Sequence, residues 1–333
     1  MRRFITWGCV LLGLEAGLRH IAVGPDTPTY YMLFQRVSDT SWSEVFSGFT
    51  ATADEYRDPA YALIVKTFTT LVPSWQLFLM TVSAFYFYGL WRILTRYIDS
   101  LEGALLAFVL YLSLFNIIAL SGLRQCITIG IAFLLIPLIN DHRWKKVIPI
   151  VLLGATIHIS LLFILLLVPL IILSDNFKKM LYFLSIILIP FIAVGARSIV
   201  LYMVSFMAND YYAGYANAEN EGNPIVYVIL VSIISIYEYL NYRKLTELKQ
   251  TSFLIPSNIL MTLAVPLISL DGTMIRIGQY FTLYFMVSLP LVFERVSYRK
   301  VGYFGCIAFL ALKMFTSDSV YYFFWENVPG VTY

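Results

Sequence analysis

The sequence predicts an all-α fold: a polytopic helical bundle embedded in a membrane, with about ten or eleven spans. Three observations predict it. Hydrophobic residues make up 59% of the chain and charged residues only 13%, whereas a soluble domain carries about 25% charge. The apolar residues gather into runs on the scale of a bilayer crossing. Nearly every other connection between runs is basic: Arg2-Arg3, Arg92/Arg96, Arg143/Lys145/Lys146, Lys178/Lys179, Arg243/Lys244/Lys249 and Arg295/Arg299/Lys300. These hold fifteen of the 23 Lys and Arg residues, and short basic loops stay on the cytoplasmic side.

The elements follow in order. The first span is about Phe4–Leu18, a retained helix because Glu15 and Arg19 close the run and no small-residue cleavage site follows. An outer stretch, about 19–58, comes next. Asp26-Thr27-Pro28 and Asp58-Pro59 each read as a helix start, with Asp as cap and Pro in the first turn. Behind them Tyr30, Tyr31, Phe34 and Val37, then Tyr61, Leu63, Ile64 and Phe68, recur at helical spacing, as in amphipathic helices on the outer membrane face. Spans follow at about Trp75–Leu94, Leu101–Leu120 and Leu123–Ile139. The apolar region Val147–Leu173 reads best as two short helices turning near His158-Ile159-Ser160, because one long helix would place Lys178/Lys179 outside. A turn at membrane depth is tolerated only where protein or water surrounds it. Later spans are about Met180–Val200, Ile225–Leu240, Phe253–Leu270, Gln279–Phe293 and Val301–Phe315. A second outer loop, about 205–224, and a tail, about 316–333 with Tyr321, Tyr322, Phe323, Phe324, Trp325 and Tyr333, lie outside by parity. One membrane domain, 1–333, accounts for the chain.

Composition narrows the function. The net charge of +3 is the sum of basic inner loops and a more acidic outer side, so it does not suggest nucleic acid. Cys9, Cys126 and Cys306 sit in apolar runs without C-x-x-C spacing and read as small buried residues rather than a disulfide or metal site. There is no G-x-x-x-x-G-K-[ST] for ATP, no H-E-x-x-H or D-x-D for a metal, and no G-x-S-x-G. No cofactor is expected.

Some cations do not sort with the inner loops. Arg19, Arg124 and Arg276 each fall at or near the outer end of a span, where a cation needs an anionic or polar acceptor. Arg124 starts a helix in Ser121-Gly122-Leu123-Arg124-Gln125, and either holds a phosphate beside the positive helix end or snorkels to the interface. Arg276 either binds an anion or pairs locally with Asp271. Arg19 is a ligand contact or an interfacial anchor. His158 suits a general base, since a histidine's ordinary pKa lies near neutrality, and equally suits a hydrogen-bonded core histidine. An outward cationic site without nucleotide or metal points to a substrate that brings its own anion, such as a lipid-linked pyrophosphate sugar.

These residues carry a resemblance. Gly17-Leu18-Arg19-His20 with Val23-Gly24-Pro25-Asp26-Thr27, Tyr30-Tyr31 and Phe34 resembles the G-x-R…V-G-x-D-t…Y…F signature of the EpsG family. Leu123-Arg124-Gln125, Ala155-Thr156-Ile157-His158-Ile159-Ser160 and Arg276…Tyr280-Phe281 follow in the family's order, so the likeness runs from the first helix to about Phe281. It implies a Wzy-type polymerase of O-antigen or exopolysaccharide in the bacterial cytoplasmic membrane, with its site facing the periplasm. The donor and acceptor are then glycans linked to undecaprenyl pyrophosphate, and a chain-length regulator is an implied partner. The arginines would stabilise charge growing on the leaving pyrophosphate. That role falls to Arg124 and Arg276, with Arg19 third and Gln125 and Tyr280 beside them. His158, or secondly Asp26, would take the acceptor's proton. An O-antigen ligase would share this chemistry; a repeat-unit flippase or an intramembrane acyltransferase would not.

Overall fold

The computed structural model describes residues 1–48, 58–207, 225–248, 251–269, 275–315 and 320–328. The all-α membrane bundle predicted from the sequence is the architecture observed. The chain divides into two compact units, Met1–Leu162 with Phe304–Tyr333, and Phe163–Tyr303.

The first unit is built on α1 (Arg2–Gly17), α5 (Trp75–Tyr97) and α8 (Leu123–Asn140). Helices in lipid gain little from hydrophobicity and associate by close packing over small residues. That is the pattern here: Gly17 of α1 meets the backbone of Met80, and Gly89 of α5 meets the carbonyl of Gly130 in α8. Polar pairs set the register. At one end of α1 the Trp91 indole donates to Thr6 Oγ1 at 3.0 Å; at the other the Gln76 amide donates to the Gly17 carbonyl. So α1 and α5 are antiparallel, and Arg2 lies over the Trp91 ring at 5.6 Å. Asn140, at the end of α8, donates to Tyr97 at the same end of α5 at 2.7 Å. The basic ends Arg2, Arg92/Arg96 and Arg143 therefore share one end of this unit, and Arg19 and Arg124 lie at the other.

Serines start the long helices: Ser74 Oγ accepts the Leu77 N–H and Ser100 Oγ the Gly103 N–H at 3.0 Å, each satisfying a first-turn donor. α6 (Leu101–Leu110) passes through a π-helical turn, Tyr111–Phe115, into α7 (Asn116–Ser121). α9 (Trp144–Ala155) stops at the expected place: the chain turns through His158 into a 3-10 helix, Ile159–Leu166. α2 (Thr27–Asp39), α3 (Trp42–Ser47) and α4 (Pro59–Leu71) cap the Arg19 end. Tyr30, Phe34 and Val37 of α2 and Tyr61 of α4 are turned onto protein. Tyr30 meets Tyr61 at 5.8 Å, Phe34 meets Trp75 and Phe78 at 5.4 Å each, and Tyr61 meets Phe78 at 6.4 Å. The C-terminal tail reaches the same end, where the Phe324 N–H donates to the Leu18 carbonyl and the His20 N–H to that of Tyr322.

The second unit comprises α10 (Leu167–Ile172), α11 (Asp175–Met207), α12 (Ile225–Leu240), α13 (Tyr242–Thr246), α14 (Leu254–Ala264), α15 (Ile275–Thr282), α16 (Phe285–Phe293) and the start of α17 (Arg299–Phe315). Its centre is polar. Glu238, fully buried, accepts from Asn258 and Ser288, while Tyr182 donates to the Ser235 carbonyl at 3.1 Å. A buried polar group in a bundle must be bonded, and here the bonds join α11, α12, α14 and α16.

Among the described residues four helices are long and apolar enough to cross a membrane: Trp75–Tyr97, Leu101–Ser121, Leu123–Asn140 and Asp175–Gly195. Ile159–Ile172, Tyr227–Leu240, Leu254–Leu267 and Gly278–Phe293 are apolar but shorter. Most of the expected second outer loop lies outside the described residues, as does Tyr333.

Candidate functional site

Two separate sequence motifs meet first. Gly24 has φ +84°, the left-handed region, and a Cβ there would strike the Leu120 carbonyl, so only glycine fits this turn. The tight turn lets Val23-Gly24-Pro25-Asp26-Thr27 dock on the end of α7. Thr27 Oγ1 donates to the Leu120 carbonyl at 3.1 Å, and the Asp26 N–H donates to Ser121 Oγ at 3.2 Å. The result seats α2 beside the N-terminus of α8, where Arg124 begins.

Arg124 is held on three sides. Its Nε donates to the Tyr30 hydroxyl at 3.2 Å, its Nη1 is bonded to Asp58 Oδ2, and its guanidinium lies 5.4 Å from the Tyr30 ring and 6.0 Å from that of Tyr61. The helix-cap expectation for Asp58 needs correction. Asp58 does occupy the N-cap position of α4, but its side chain makes no capping bond and is turned to Arg124. Asp26 likewise stands at the N-cap of α2 without a side-chain capping bond. A full guanidinium charge outcompetes a backbone N–H for a carboxylate.

His158 reaches the same carboxylate. Its Nδ1 lies 3.8 Å from Asp58 Oδ2, buried and without a hydrogen-bond partner. The turn that carries it is tied to α4, because the Ala60 N–H donates to the Thr156 carbonyl at 3.1 Å. Thus α4, α8 and the α9 turn converge on one oxygen.

Arg19 is fully buried. It donates from Nη1 to the Ala16 carbonyl and from Nε to Thr27 Oγ1 at 3.5 Å, and Nη2 has no partner. Burial lowers its pKa to about 10, still far enough above neutrality to leave it cationic. No carboxylate pairs with it among the described residues. Tyr61, buried with its hydroxyl unpartnered, lies within electrostatic range of both Arg19 and Arg124. Gln125 is buried and packs its side chain over Gly122.

The structure thus brings Arg19, Arg124, His158 and the Asp26 turn to one end of the first unit. Arg276 and Tyr280 belong to the second unit, one turn apart on α15, with Tyr280 buried. Asp271, the alternative partner of Arg276, lies outside the described residues. Sequence reasoning missed Asp58 and Tyr61 as site residues. The Asp-Pro step marks a helix start equally well with or without a distant cation.

The fold and this cluster define a helical membrane protein with a cationic, aromatic-lined site at one end of a bundle. The chain belongs to the EpsG family, whose model matches residues 2–327 and whose members are similar to Wzy-type polymerases. That makes it a membrane protein of the polysaccharide-polymerase type. Neither a curated protein nor a solved structure matches the chain significantly.

Proposed function

We propose that the protein polymerises lipid-linked oligosaccharide repeat units on the outer face of the bacterial cytoplasmic membrane, transferring a glycan from undecaprenyl pyrophosphate to the next lipid-linked unit. The observation that carries this reading is the convergence of Arg124, Asp58 and His158 beside buried Arg19, whose Nη2 is unpartnered.

In the proposed step an acceptor hydroxyl oxygen attacks the anomeric carbon of the donor. The bond from that carbon to the pyrophosphate oxygen breaks, and the leaving lipid pyrophosphate takes the electron pair. Arg19 and Arg124 stabilise the negative charge that grows there, an interaction stronger in the transition state than before it. Arg276 and Tyr280, in the second unit, are proposed as substrate-binding residues. His158 accepts the hydroxyl proton through its imidazole, with Asp58 the nearby carboxylate that stabilises the imidazolium formed. Asp26 is the second candidate base. The separation of the basic loops from Arg19 and Arg124 at opposite ends of the first unit supports an outward site.

The test is reconstitution. Purified protein in vesicles, given lipid-linked repeat units alone, is expected to yield a ladder of lipid-linked products. Monomeric units left unchanged, or their movement across the bilayer without elongation, would rule the reading out and favour a flippase.

A further inference from the structure

We infer that the groove between α1 and α5 seats the polyprenyl chain of the donor lipid. This rests on the function proposed above. The groove encloses about 450 Å³ and is lined almost wholly by apolar side chains, with Cys9 and Phe87 at its floor and Val10, Leu14 and Tyr88 among its more exposed walls. From Met80 to Trp91 it follows α5 for about 16 Å at the helical rise of 1.5 Å per residue.

Its two ends differ. The Met80 end is the one toward Arg19: Gly17 packs on Met80, and Arg19 follows two residues on in the chain. At the far end the bonded pair Trp91–Thr6 closes it. A lipid whose anionic head is held by Arg19 would therefore enter its chain into the groove next to the head.

Gly13 makes the room. Elsewhere on α1 glycine is demanded by packing, since a Cβ on Gly8 would strike the Phe108 ring and one on Gly17 would press on the Met80 backbone at 3.0 Å. At Gly13 the nearest atom, on Phe87, is at an ordinary 3.5 Å, so an alanine fits. A helix-interior glycine is less stable than alanine, and helix packing does not require a glycine here. An open channel along the groove does.

The experiment narrows the groove with Gly13→Leu and Ala84→Leu, about 6 Å from its Met80 end at 1.5 Å per residue, and compares lipid-linked repeat units on a long polyprenyl carrier and on a carrier of one isoprene unit, too short to reach them. The expected result is an apparent KM raised about 10-fold for the long carrier, the loss of roughly two methylenes of burial, with kcat kept and the short carrier unaffected. In parallel, a photoactivatable polyprenyl pyrophosphate is expected to label α1 and α5 peptides in nanodiscs, and unlabelled carrier but not phosphatidylglycerol to compete. Equal effects on both carriers, no effect on either, or equal competition by phosphatidylglycerol would overturn the inference and leave the groove to bulk lipid or a second copy. Wild-type protein that elongates neither carrier sinks the polymerase reading instead; the labelling, which needs no turnover, then decides the groove separately.

Discussion

Asp58 and Arg124, 66 residues apart in the chain, are bonded at one end of the first unit, and the bonding oxygen of Asp58 also lies 3.8 Å from His158 Nδ1. One carboxylate thus bonds a cation and faces an imidazole.

Asp58→Ala is expected to lower both stability and activity. Arg124 is then left partly buried without its anion, a loss toward the low end of the ~3–5 kcal/mol typical of broken buried pairs, because its side chain is 28% exposed. Asp58→Asn keeps a hydrogen bond and should recover most of the melting temperature but little of the turnover. Thermal unfolding in detergent and in vitro elongation separate the two. Equal recovery of both would reduce Asp58 to a structural role.

For the arginines, charge alone is not enough. Arg124→Ala and Arg19→Met should abolish polymer while the protein still inserts. Arg124→Lys should recover only part, since an ammonium cannot donate to Tyr30 and Asp58 in the same forked geometry. Polymer length on gels at matched expression is the readout. Unaltered polymer from both neutral variants contradicts the pyrophosphate assignment.

His158→Gln retains a hydrogen-bonding amide but offers no base near neutral pH. If the imidazole takes the acceptor's proton, elongation should slow by on the order of 10²–10⁴ while the donor lipid is still bound. Near wild-type turnover would transfer the role to Asp26.

Gly24→Ala tests the turn that joins the two motifs. Its φ of +84° costs an alanine about 1–2 kcal/mol, and the Leu120 carbonyl must also move. Both stability and activity should fall. Gly305→Ala is the control, because a Cβ there has nothing within 4 Å. Similar melting temperatures for the two variants would show that the turn yields without consequence.

Much of the fold was legible because it depends on sums over many residues. Membrane residence follows from an apolar excess, and the opposed ends of the first unit from the spacing of arginines and lysines. The break at His158 was readable for the same reason, since an unbroken helix would misplace Lys178 and Lys179. Helix starts at Asp26 and Asp58 were readable because a proline in the first turn pre-sets the backbone locally. What those side chains then do was not. Whether Asp58 caps its own helix or bonds Arg124 depends on which distant cation the fold delivers, and local chemistry is identical in both cases. The same holds for Glu238 amid Asn258 and Ser288, and for the tail that pairs Phe324 with Leu18. Local sequence determined the class, the main apolar helices and the charged candidates. Only the tertiary structure decided which candidates share an oxygen, because a hydrogen bond is made at about 3 Å and its partners come from anywhere in the chain.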